Sequence, residues 1–153
     1  MKKFVLVFLL MGLTAGAVRG ADDPVGKKAQ LALTLSGFYL VPDTGSTRSL
    51  LAPGLRVDLN LGKSFILAPE ASLGFTGLYV GGTFNYRFRK FFVGAGGGLI
   101  YFYKEAQDIQ ADGVLKVQAG AKGPHWLFTA AYVSNILSGG WLNGVHLTAG
   151  YIF

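Results

Sequence analysis

His146-Leu147-Thr148-Ala149-Gly150-Tyr151-Ile152-Phe153 closes the sequence. Successive side chains of a strand point to opposite faces. Val145, Leu147, Ala149, Tyr151 and Phe153 therefore share one face, and Gly144, His146, Thr148 and Gly150 share the other. A strict period of two with greasy residues on one side predicts a strand lying between two different surroundings. The bare phenylalanine at the end asks what kind of surroundings would accept that apolar face.

Working back from this stretch, the same alternation recurs seven times from Gln30 onward. Leu31, Leu33, Leu35 and Tyr39 alternate with Gln30, Ala32, Thr34 and Ser36. Leu55, Val57, Leu59 and Leu61 alternate with Arg56, Asp58 and Asn60. Comparable runs begin at Phe65, Val80, Phe91, Leu115 and Trp126. Turn residues separate them, so the chain predicts eight antiparallel strands. Gly62-Lys63-Ser64, Arg89-Lys90 and Lys122 to His125 are tight connections. The links around 43–49, 104–110 and 135–141 are longer, with a short one near Thr76-Gly77. Short turns at one end and longer loops at the other is the pattern of an up-and-down transmembrane β-barrel.

The tight turns also fix the pairing. Centring the first on Lys63 sets Leu59 opposite Leu67, Leu61 opposite Phe65 and Arg56 opposite Glu70. A two-residue turn at Arg89-Lys90 sets Phe88 opposite Phe91 and Asn85 opposite Gly94. A slip of one residue would turn every side chain to the wrong face.

Composition narrows the setting. The 153 residues allow one domain, half of them are hydrophobic and none is cysteine. Met1-Lys2-Lys3, the apolar run Phe4 to Leu13 and the small residues Ala15-Gly16-Ala17 predict a signal peptide over 1–21, cut near 17–21. The barrel domain is then 22–153. From Asp22 onward there are 11 basic and 8 acidic residues, an excess of 11 − 8 = 3. That excess, without a basic stripe, excludes a nucleic-acid partner.

Eight strands enclose too little space for all the leucines and rings. The apolar face is therefore expected to point outward into lipid, and closure leaves no unpaired backbone edge there. The charged face then lines the lumen, with Arg56 paired to Glu70 and Asp58, Arg87 and Lys116 nearby. Gly81, Gly94, Gly96 and Gly98 would leave room for long side chains to reach across. Phe65, Phe88, Phe91, Trp126, Tyr151 and Phe153 are expected at the short-turn interface, and Tyr39, Tyr101, Tyr103 and Trp141 at the other. Pro69, which lacks an N–H for the ladder, predicts a bulge or kink.

The ending, with Tyr151 and the terminal Phe153, resembles the C-terminal signal of bacterial outer-membrane barrels. The whole chain resembles the small eight-stranded outer-membrane protein families in size and layout. The resemblance implies the outer membrane of a diderm bacterium and insertion by the barrel-assembly machinery. It also implies membrane lipid and lipopolysaccharide as surroundings, and a structural or surface-interaction role.

Chemistry is sparse. The two histidines lack a metal partner at ligand spacing, and Gly94 to Gly98 is not a phosphate loop, so no cofactor is expected. Tyr132-Val133-Ser134-Asn135 followed by Asn143-Gly144-Val145-His146 resembles the end of the PagL-like lipid A deacylases. That family carries His-x-Ser-Asn on the seventh strand and an acid about a dozen residues on. Here Ser134 and Asn135 match, Tyr132 stands in place of the histidine, and His146 falls near the acid position. The resemblance makes Ser134 and His146 candidate catalytic residues, although a serine without an adjacent base is a poor nucleophile. The plainer reading is that Ser134-Asn135 starts a loop. A narrow channel is a third reading, requiring water to pass Arg56 and Glu70.

Overall fold

The computed structural model describes residues 28–42, 47–103, 109–135 and 142–153. The expected leader and Trp141 lie outside these residues. Eight strands follow one another: β1 (Ala29–Pro42), β2 (Arg48–Leu61), β3 (Phe65–Leu73), β4 (Gly77–Phe88), β5 (Phe91–Tyr103), β6 (Ile109–Lys122), β7 (Trp126–Asn135) and β8 (Leu142–Ile152). Each pairs antiparallel with its sequence neighbour, and β1 pairs with β8 to close the barrel.

The registers follow the hairpin chemistry. Arg56 faces Glu70, Leu59 faces Leu67 and Leu61 faces Phe65. Phe88 faces Phe91, and Asn85 faces Gly94. One circuit of paired partners runs from Ala29 through Leu59, Leu67, Phe84, Ala95, Val117, Tyr132 and Val145 to Tyr39. The circuit advances by 39 − 29 = 10 residues along β1. A stagger of that kind tilts the strands by roughly 35–45° and keeps the interior narrow enough for side chains to fill.

The outer wall carries the apolar set. Leu33, Leu35, Phe84, Val117, Phe128 and Leu147 are all about half exposed. Rings meet at the short-turn end: Phe65 on Phe84 at 5.3 Å, Phe88 on Phe91 at 6.1 Å and Tyr151 on Phe153 at 5.3 Å. Tyr39, Tyr101 and Tyr103 point outward toward the other end, by the same strand parity. Aromatic residues at both borders are what an apolar band between two headgroup layers favours.

One expectation needs correction. Pro69 makes no bulge: the register on either side of it is unchanged, and β2–β3 simply lacks the pairs Val57 with Pro69 and Asp58 with Ala68. A missing donor weakens the ladder without requiring an extra residue. The lumen glycines do leave room, and side chains fill it. The Tyr79 ring lies over Gly81 and Gly98, and the Asn85 side chain lies over Gly94. A side chain at Gly96 would strike the Gly82 carbonyl and the Thr83 backbone.

Candidate functional site

The lumen is layered. Near the loop end Phe38, Leu40, Leu50, Ala52, Tyr79, Ile100, Phe102, Val114 and Val133 form one buried cluster. Near the short-turn end Ala32, Phe92, Leu127 and Ile152 form another. Between and beside them lies a belt of buried polar side chains, with Arg56 fully enclosed.

Strand pairing builds the belt. Facing positions on β2 and β3 bring Arg56 beside Glu70, and two residues along the same face of β2 stands Asp58. Arg56 Nε donates to Asp58 Oδ1 at 2.7 Å, and its Nη1 lies 4.0 Å from Glu70 Oε2. The guanidinium carbon sits 5.3 Å from the centre of the Phe92 ring, which covers one side of the cation. Lys116 Nζ crosses from β6 to Glu70 Oε1, and the Tyr79 hydroxyl donates to the same oxygen at 3.2 Å. Lys122 Nζ reaches Asp58 Oδ2 at 2.5 Å. Three cations thus enclose two carboxylates: each carboxylate lies between two cations, and Arg56 is shared by both.

A neutral network adjoins the ions. Gln118 Nε2 donates to Thr83 Oγ1 at 2.8 Å and Asn85 Oδ1 at 2.6 Å, while Asn85 Nδ2 donates to Thr83 Oγ1 at 3.0 Å. His146 stacks flat on Phe38 with ring centres 3.7 Å apart, and its Nε2 lies 3.1 Å from Thr148 Oγ1. Thr148 in turn meets Ser36 at 3.2 Å.

Of the residues read from sequence, Arg56, Asp58, Glu70 and Lys116 come together. Arg87 does not join them. It sits at the short-turn end, where Nη1 donates to Asn60 Oδ1 at 3.3 Å and Nη2 to the Lys63 carbonyl at 3.0 Å. Two strand positions below Asn85, it is below the belt. Lys122 and Tyr79 were missed. Lys122 shares the parity of Lys116 and Gln118 but abuts the turn, and Tyr79 shares the parity of Gly81; both signals were present in the alternation.

The candidate dyad is also not assembled. Ser134 pairs with Asn143 and shares the outward parity of Tyr132 and Phe128. His146 pairs with Ala131 and is buried in the lumen. The barrel wall separates them. On the outer wall the Tyr132 hydroxyl donates to Asn143 Oδ1 at 2.6 Å. His125, at the short-turn end, stacks on Tyr151 at 5.9 Å and is remote from Ser134. Among the described residues, no three His, Cys, Asp or Glu side chains gather at metal-ligand spacing. Tyr151 and Phe153 both face outward, and the Phe153 amide donates to the Leu31 carbonyl at 3.0 Å.

Comparison with solved structures fits this geometry. The chain is similar to Neisserial surface protein A, with a TM-score of 0.58 at 13% identity over 82% of this chain and 96% of that one. The fold is that of the small outer-membrane barrels. It is similar as well to the Yersinia pestis outer membrane protein Ail in a phospholipid bilayer nanodisc, with a TM-score of 0.50 at 11% identity over 82% and 99%. A de novo designed transmembrane β-barrel matches with a TM-score of 0.52 at 14% identity over 81% and 95%. Identities this low speak for architecture, and architecture alone does not assign an activity. No protein-family model matches the chain, and no curated protein matches it in sequence.

Proposed function

We propose that this protein is a closed, non-conducting barrel in the outer membrane of a diderm bacterium, with a structural or surface-interaction role. The observation that carries the reading is the layering of the lumen: Arg56 and Glu70 are enclosed between the Phe38–Ile100 layer and the Phe92–Leu127 layer. A polar belt sealed by apolar side chains on both sides offers no water-filled path. The short turns then face the periplasm and the longer connections face outward to lipopolysaccharide, a surface or another protein. The outward rings of Tyr151 and Phe153 suit recognition by the barrel-assembly machinery.

Planar-bilayer recording tests this directly. The native barrel should leave the current at baseline; regular conductance steps would overturn the closed-lumen reading. The deacylase alternative finds little support, because His146 and Ser134 stand on opposite sides of the wall. Lipid A incubated with the folded protein should keep its mass, and loss of one acyl chain in the mass spectrum would restore that reading.

A further inference from the structure

We propose that the short-turn rim is a docking surface for anionic phospholipid headgroups of the leaflet it faces. The proposal rests on the membrane reading above. Lys28 precedes β1, Lys63 lies in the β2–β3 turn, and Arg89 and Lys90 form the β4–β5 turn; all four are exposed. Among the described residues none of them pairs with a carboxylate, since Asp58 is taken by Arg56 and Lys122, and Glu70 by Lys116 and Arg56. They lie just beyond the Phe65, Phe88, Phe91 and Trp126 rings that border the apolar wall. That is the depth of lipid phosphates, where each nearby cation attracts anionic headgroups. Cations on two turns and on the segment entering β1 fit a leaflet that surrounds the barrel.

Arg89 supplies an independent observation. Its φ is +58°, a left-handed conformation that a side chain disfavours. The other tight turn with a positive φ uses glycine there, Gly62 at +85°. A two-residue hairpin turn requires a positive φ at this position, and here the residue that meets the requirement is an arginine where glycine would do so without strain. The role open to an exposed guanidinium at headgroup depth is to bind phosphate.

The test uses the full chain carrying Trp141→Phe, which leaves Trp126 as the single tryptophan and as a probe of this rim. It is reconstituted in vesicles of equal phosphatidylcholine and phosphatidylglycerol, with one lipid or the other brominated. Brominated phosphatidylglycerol should quench Trp126 a few-fold more strongly than brominated phosphatidylcholine. The preference should vanish at about 1 M salt, where the screening length is ~3 Å. It should also vanish in Lys28→Gln/Lys63→Gln/Arg89→Gly/Lys90→Gln, with folding checked by circular dichroism. Arg89→Gly alone should lower the preference while raising the urea midpoint, a split that a merely structural arginine would not give. Equal quenching by the two lipids, or a preference unchanged in the fourfold variant, overturns the proposal. So does a rim indifferent to lipid charge that sediments with peptidoglycan through the same cations. Quenching by neither lipid sinks the membrane reading and this proposal together.

Discussion

The two halves of the lumen are lined by the same strands yet solve different problems. Toward the loop end the inward positions are Phe38, Leu40, Leu50, Ile100 and Val114, a core like that of a water-soluble domain. A few residues along the same face come Arg56, Asp58, Glu70 and Lys116, an ionic cluster with almost no exposure. The apolar half seals by shape, since close packing leaves no route for water. The ionic half must also keep its opposite charges in contact, because removing one partner strands the other in a medium that solvates it poorly. The contrast teaches that this barrel keeps its closure and its charge balance in separate layers.

Glu70→Ala is the most damaging way to probe that contrast. It removes the shared partner of Lys116, Arg56 and Tyr79, and should cost about 4 kcal/mol, read as a fall in the urea midpoint of the folded barrel in vesicles. A loss no larger than that of a surface residue would show the belt to be mere filling. Ile100→Ala, in the apolar layer, should cost about 3 kcal/mol by leaving a cavity. Planar-bilayer recording of Phe38→Ala/Ile100→Ala should stay silent, because the Phe92–Leu127 layer still closes the other end; openings would place the whole seal at the loop end. Arg87→Gln, outside the belt and only partly buried, should cost below about 1 kcal/mol. Ser134→Ala should alter neither the unfolding midpoint nor the mass of added lipid A, since His146 lies on the other side of the wall.

The division between layers was only half legible in the sequence. Parity told which face each residue takes, and the hairpin turns fixed the registers, so Arg56 opposite Glu70 follows from Gly62-Lys63-Ser64 alone. The apolar layer was hidden because alternation fades where both faces are greasy. Phe38-Tyr39-Leu40-Val41 and Leu99-Ile100-Tyr101-Phe102 are continuous apolar runs, and those runs mark where the lumen closes. Partners across the lumen were less accessible. Lys122 meets Asp58 from a strand four places away around the ring, a contact set by stagger and side-chain reach that no local spacing encodes. The same limit applies to Ser134 and His146. Their sequence distance suggests neighbours, while their opposite parity puts a wall between them.

Pro69 carries one more implication. A ring without edges has no obvious place to come apart, yet β2 and β3 lack two consecutive rungs beside this proline. Arg56 and Asp58 sit on β2 at that gap and Glu70 on β3, so side-chain charge bridges the stretch where the backbone does not. The seam should be the first to exchange its amide hydrogens and the first to unzip under pulling force, and stripping its ions should turn a fastening into a hinge.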